Sequence, residues 1–366
     1  MRTIYTLLLC AAFSVFLITC KSDDETNSKA EFDRTVFLEN YANNIIKPNY
    51  TALLTRATEL QAAVSSFSSQ TDLAQLQALQ NVWTSAYSQW MRTNSFSFGP
   101  ASKQGLTRAL REEIATFPPA TSIIDSKISA NNYELDDAQR ASRGFLAIEY
   151  LIYGNGNNEE TLAAFDDNRM GYLIGISDQI VERLTVINDA WTNGFTEEFI
   201  ANDGTNVASS TTQMYNEWLR SFEIIRELKL IKPMGLEAGQ PGPEPETAEA
   251  FYSKQSLFFM RQHFNSVVDL WHGRTADGSD GIGWVEYITE LDRNDQLVDL
   301  TEAQIAIVEA AFDALPNDRT LEELVNEDNA ELQNLQQELL NLVRFFRSDL
   351  NSLLCIAVTF DIVDGD

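Results

Sequence analysis

Glu149 is a carboxylate in a place where chemistry has to account for it. It lies in Arg143-Gly144-Phe145-Leu146-Ala147-Ile148-Glu149-Tyr150-Leu151-Ile152-Tyr153-Gly154, an apolar run with one arginine at its start. Phe145, Ile148, Leu151 and Ile152 recur at steps of three and four, which predicts a helix. Gly154, with Asn155 and Gly156 behind it, predicts its end. A carboxylate inside such a helix needs an arginine, a metal ion or a hydrogen-bonded network. Arg143 or Arg108 would serve as the arginine and lock the helix to its neighbours. Iron or another divalent metal is the alternative, because hard cations accept all-oxygen ligand sets. The carboxylates available to such a set are Glu149, Glu112, Glu113 and Glu249.

Other ligand chemistries are poorly supplied. A zinc peptidase needs about three nitrogen, oxygen or sulfur ligands and a base. The chain has two histidines, His263 and His272, and no His-Glu-x-x-His. Neither does it have the Glu-x-x-His pairs of a di-iron bundle. Asp269 and His272 stand three apart, but His272 precedes Gly273 at a predicted helix end, where an imidazole suits the last carbonyls. His263, between Met260 and Phe264, reads as a packed side chain. There is no glycine-rich phosphate loop after a strand and no readable Ser-His-Asp set. Cys355 sits among apolar residues and reads as inert packing. Asp361, Asp364 and Asp366 lie too close to the chain end for a calcium loop and read as a solvated tail.

The elements that must position these groups are helices throughout. A segment from Phe32 to about Phe67 is apolar at helical spacing, with Pro48 expected to kink it. From about Asp72 to Arg92, Leu76, Leu79, Trp83, Tyr87 and Trp90 form one stripe, behind the cap residues Thr71 and Asp72. Trp83 and Trp90 therefore read as core. Further helices are expected over about 106–115, 123–128, 171–191, 210–230, 248–271, 285–291, 302–315 and 329–354, and an extended stretch over 355–362. Residues 192–209 are rich in Asn, Thr, Ser and Gly without a period and mark a domain boundary. A long Gly- and Pro-rich loop follows Pro233. The expectation is an all-α chain of two four-helix bundles, 32–205 and 206–366.

The first 31 residues read as targeting rather than fold. Arg2 precedes an apolar run from Ile4 to Ile18, too short for a stable membrane anchor. Leu17-Ile18-Thr19-Cys20 resembles a bacterial lipobox, which implies cleavage before Cys20 and lipidation of that residue. An ordinary secretory signal is the plainer alternative, but it lacks a good Ala-x-Ala site. Residues 21–31 then form an acidic tether. Its Lys21-Ser22-Asp23-Asp24-Glu25 is similar to the export tag of Bacteroidetes lipoproteins, implying an outer-membrane lipoprotein facing the cell surface or the periplasm. With Cys10 and Cys20 so assigned, Cys355 would be the one cysteine left and no intrachain disulfide would form. The balance of 26 basic against 54 acidic residues gives a net charge of -28. Loss of Arg2 would make it -29. This excludes nucleic acid as a partner on electrostatic grounds, and most of the acidic residues read as solvated helix surface.

Several stretches together resemble the imelysin-like family of bacterial envelope proteins. The family signature, Gly-x-His-x-x-Glu in an aromatic-rich helix, aligns with Gly144, Leu146 and Glu149. Trp83 to Trp90, followed by Phe98-Gly99-Pro100, is similar to its aromatic helix and turn. Glu249 to Ser256, including Ser253, is similar to the segment that opens a later long helix, and Leu354 to Phe360 is similar to the C-termini of Bacteroidetes members. The resemblance implies two four-helix bundles with the signature near their interface, and a role in iron uptake. For founding members it implies metallopeptidase activity. Leu146 occupies the histidine position, so the signature helix offers one oxygen ligand instead of two donors. The expected function is a binding component in iron, other metal or haem acquisition, working with uptake components at the outer membrane. The alternatives are a metallopeptidase with a variant ligand set and a non-catalytic interaction module.

Overall fold

The computed structural model describes residues 32–102, 109–136, 139–291 and 296–360. Phe32–Asp366 is a compact unit, and among the described residues every regular element is helical, as the sequence predicts. Eight long helices carry the architecture: α1 Lys47–Ser69, α2 Leu73–Thr93, α3 Gly144–Tyr153, α4 Asp167–Ala190, α5 Ser210–Arg226, α6 Ser256–Trp271, α7 Gln296–Asp313 and α8 Ala330–Arg344. None of the described helices is long and apolar enough to cross a membrane.

The helix starts follow local chemistry. The Asp72 carboxylate accepts from Gln75 N at 2.9 Å and opens α2. Asp166 and Asn329 cap α4 and α8 the same way, satisfying amides that the first turn leaves unpaired. The interruption expected at Pro48 falls just before it, as a π-helical turn over Asn40–Ile46. Pro48 has no N–H for the carbonyl of Asn44 four residues earlier. That carbonyl instead accepts from Ala276 N at 3.0 Å. Two more π turns, Glu227–Ile231 and Phe345–Asp349, extend α5 and α8, whereas α4 ends in a kink at Asn193 and Gly194, with Gly194 at φ +122°.

Helices α1 to α4 pack on one another: α1 lies between α2 and α4, and α3 lies against α2 and α4. In the second half α5 packs on α6 and α8, and α7 on α8. The two groups meet where α2 lies along α6 and where the turn Asn94–Phe96 packs on α5. The stripe of Leu76, Leu79, Trp83, Tyr87 and Trp90 is wholly buried. Trp218 Nε1 donates to Val267 O at 3.0 Å across α5 and α6. The N-terminal segment is also held by the second half, since Phe32 stacks on Tyr287 at 4.2 Å and Phe37 meets Trp284 edge-on.

Three expectations change. Residues 248–255 are turns, not the start of α6, with Ala250 and Lys254 at positive φ; the left-handed residues break any helical continuation. Residues 356–360 form no strand, and among the described residues no strand is present to pair with them. Cys355 is exposed, where inert packing among apolar residues was expected. The signal segment, Cys20, the tether, Leu106, Arg108 and the acidic tail at Asp361, Asp364 and Asp366 lie outside the described residues.

Candidate functional site

Helix α3 is set in place by its first two residues. Gly144 has φ +78°, and a Cβ there would lie 2.4 Å from the carbonyl oxygen of Ile114. Only glycine allows that backbone approach. Arg143, just before it, is buried and reaches back to the short helix Leu110–Ile114, with Nε 3.4 Å from Glu113 Oε2. It also donates to Leu135 O. Arg183 of α4 lies 3.9 Å from the same Glu113 oxygen, and Glu112 lies 3.5 Å from Arg140. Of the two arginines expected to pair with Glu149, Arg143 pairs with Glu113 instead, and Arg108 lies outside the described residues.

Glu149 is wholly buried in α3. Its Oε1 accepts from Ser253 N at 2.7 Å, while its Oε2 has no hydrogen-bond partner. Burial raises its pKa from 4.5 to about 7, opposed by the hydrogen bonds from Ser253 and assisted by the nearby charge of Glu249. Glu149 thus changes ionisation near neutral pH, where a buried carboxyl is a functional-site candidate. Around it Tyr150 and Tyr252 have ring centroids 5.2 Å apart. Tyr150 Oη donates to the Asp125 carboxylate at 2.8 Å.

Glu249 sits in the same seam under opposite conditions. Lys229 Nζ lies 2.6 Å from its Oε2, with both side chains buried. Tyr87 Oη of α2 donates to its Oε1 at 2.7 Å. Lys229 comes from the π turn that extends α5. Burial lowers its pKa and the Glu249 charge restores part of it. Tyr87 is raised well above the ordinary tyrosine range by burial and by Glu249, so it stays a hydrogen-bond donor. Trp83 stacks on Tyr87 at 5.4 Å and donates to Phe145 O at 2.8 Å. Trp90 is core, as its spacing predicts.

The histidines stand apart from Glu149. His263 is wholly buried in α6, with Nε2 2.6 Å from Ser221 Oγ of α5. Burial, with Lys229 and Arg111 nearby, holds its pKa well below 6.5, so the ring is neutral. His272 caps α6 and lies 3.6 Å from Glu302. Asp269 turns instead to Arg274.

The residues present do not fit a protein-held metal ion. Glu149 has a free oxygen, but Leu146, the position one turn earlier, is buried core. The carboxylates expected to complete an oxygen set are committed to cations: Glu113 to Arg143, Glu112 to Arg140 and Glu249 to Lys229. Among the described residues no three His, Cys, Asp or Glu side chains are placed to share an ion. The structure brings together Glu149, Glu249 and Ser253, and puts Glu112 and Glu113 behind α3. Sequence reasoning missed Lys229 and Tyr87 as partners. The signal for Lys229 was a lone cation in the run Leu228-Lys229-Leu230-Ile231, which a buried face cannot hold unpaired.

Comparison with known proteins agrees with this architecture. The family model described as Imelysin matches residues 46–344. "Iron-regulated protein A" of Synechococcus elongatus is 21% identical over 253 residues, which are 66% of this chain and 65% of that protein. The chain thus spans just under two thirds of the relative's length. A solved structure from Parabacteroides distasonis, described as an iron-regulated protein A precursor, superposes with a TM-score of 0.74 at 16% identity, over 90% of this chain and 96% of the other. An imelysin-like protein from Psychrobacter arcticum gives 0.71 at 19% identity, over 90% and 97%. With a glycine-led helix, its glutamate at a helix seam and a family match over most of its length, the chain belongs to the imelysin family.

Proposed function

We propose that this protein is an iron-linked envelope component that works by binding, in the acquisition of iron, another metal or haem, and does not cleave peptides. Its membership of the imelysin family and its likeness to a protein named for iron regulation support the link to iron. The observation that favours binding over hydrolysis is the commitment of the seam carboxylates. A hydrolytic metal needs about three ligands and an open position. Here Leu146 is packed core and Glu249 is spent on Lys229. In this reading iron arrives already chelated, or as haem. The lipobox-like segment ending at Cys20 supports attachment to the outer membrane, where uptake components would be the partners.

The test combines metal content with ligand titration on the full chain. After dialysis, neither the protein nor Glu149→Gln should retain stoichiometric zinc or iron, and Leu146→His should not add any. Haemin or a ferric chelate should bind, and peptide substrates should stay intact with or without a chelator. Metal retained by the protein but lost in Glu149→Gln, or chelator-sensitive peptidase activity, would overturn the proposal. So would failure to bind both a ferric chelate and haemin.

A further inference from the structure

A cleft of about 480 Å³ opens away from the Glu149 seam, where the end of α2 meets α6, the turn after it and α7. Its size falls within the range of small-molecule sites, roughly 300–1,000 Å³. Arg92, Arg261 and Arg274 line it. Helix periodicity explains the wall from α6: residues 261, 265, 268 and 269 are spaced by one and two turns and share one face. Ser266 Oγ donates to Met91 O at 2.8 Å and ties the end of α2 to α6 beside Arg92.

We infer that this cleft binds a small polycarboxylate, gripped by the guanidinium groups of Arg92, Arg261 and Arg274. Three guanidiniums face two lining carboxylates, Asp269 and Glu309, in a chain where acidic residues outnumber basic ones 54 to 26. Such a local inversion of sign focuses an anion into the cleft. The guanidiniums are also available. Among the described residues Arg92 makes no ion pair, and its one hydrogen bond, to Ala276 O, is long at 3.4 Å. Arg261 is paired with Asp313 at 3.1 Å, and that carboxylate is 73% exposed. Arg274 pairs with Asp269 at 3.2 Å and lies 3.8 Å from Asp280, which is 93% exposed. Ion pairs with solvated carboxylates such as Asp313 and Asp280 contribute little, so a ligand displaces those two at small cost. Arg261 is held ready, with Nη1 donating to Glu309 O at 2.9 Å and its guanidinium lying 5.2 Å from the Phe312 ring centroid. The guanidinium fork fits a planar carboxylate through paired hydrogen bonds. The amides of Gln262 and Asn265 offer further polar contacts to a second carboxyl or a hydroxyl.

The experiment is a calorimetric titration of the full chain with metal-free citrate, which separates the result from the iron reading. Inorganic phosphate, acetate and the variants Arg92→Gln and Arg261→Gln are compared in parallel. Citrate should bind below about 1 mM, more tightly than acetate or phosphate, and more weakly as salt rises. Loss of one guanidinium should weaken it by about tenfold or more, whereas Arg56→Gln, far along α1, should leave it unchanged. Unchanged thermal melting of Arg92→Gln would establish that the variant is folded. The inference is overturned if citrate does not bind, if phosphate binds as tightly, or if folded Arg92→Gln binds as well as the parent.

Discussion

Glu149 and Glu249 are buried in the same seam, yet their surroundings treat them as different groups. Glu249 has a lysine ammonium at 2.6 Å and a tyrosine hydroxyl at 2.7 Å. Glu149 has one backbone N–H at 2.7 Å and an oxygen with no hydrogen-bond partner. Burial is common to both, so burial alone does not decide what a carboxylate becomes. The partner decides it: the first is fixed as half of an ion pair, while the second holds a proton up to about pH 7.

The sharpest way to break this contrast is to remove the lysine. Lys229→Met should leave the Glu249 charge buried with only Tyr87 beside it and destabilise the fold by about 3–5 kcal/mol, read by urea denaturation. Adding Glu249→Gln to Lys229→Met should recover much of that loss, because no uncompensated charge remains. A double variant no better than the single one would show that the pair acts through packing.

The second experiment makes Glu149 unable to ionise. In the folded protein its pKa is raised, so between about pH 4.5 and 7 the unfolded chain has lost a proton that the native state keeps. Stability contributed by this group therefore falls as pH rises through that window and levels off above it. The displacement corresponds to about 3 kcal/mol at most. Glu149→Gln should keep the bond from Ser253 N to its carbonyl and flatten the stability profile between those pH values. An unchanged profile would show that Glu149 titrates like an exposed glutamate.

The smallest expected effect lies at the neutral histidine. Ser221→Ala would leave His263 Nε2 unpaired in the core, costing about 1–3 kcal/mol in the same denaturation assay. A loss well below this would mean that water reaches the ring.

Much of the scaffold was legible in the residues. The apolar stripe of α2, its Asp72 cap and the helix carrying Glu149 follow from periodicity and local hydrogen bonding. What was not legible is who meets whom. Arg143 is six residues from Glu149 and was a natural partner, yet it pairs with Glu113. Glu149 is instead met by the backbone of Ser253, 104 residues away. Such pairings depend on how helices stack, which spacing within one helix does not encode. The π turns were missed for a related reason. The turn at Glu227–Ile231 adds a residue within an apolar pattern that reads equally well as unbroken α-helix, and it supplies Lys229.

The carbonyl of Asn44 has one further consequence. Its donor, Ala276 N, is synthesised long after it, and the nearby Asn40 amide bonds to carbonyls 233 and 242 residues downstream. The start of the fold is thus closed by its second half. Such high contact order slows folding, because the intervening chain must be gathered before these bonds form. A ribosome that has made only the first half of the chain has not yet made the loop that finishes it.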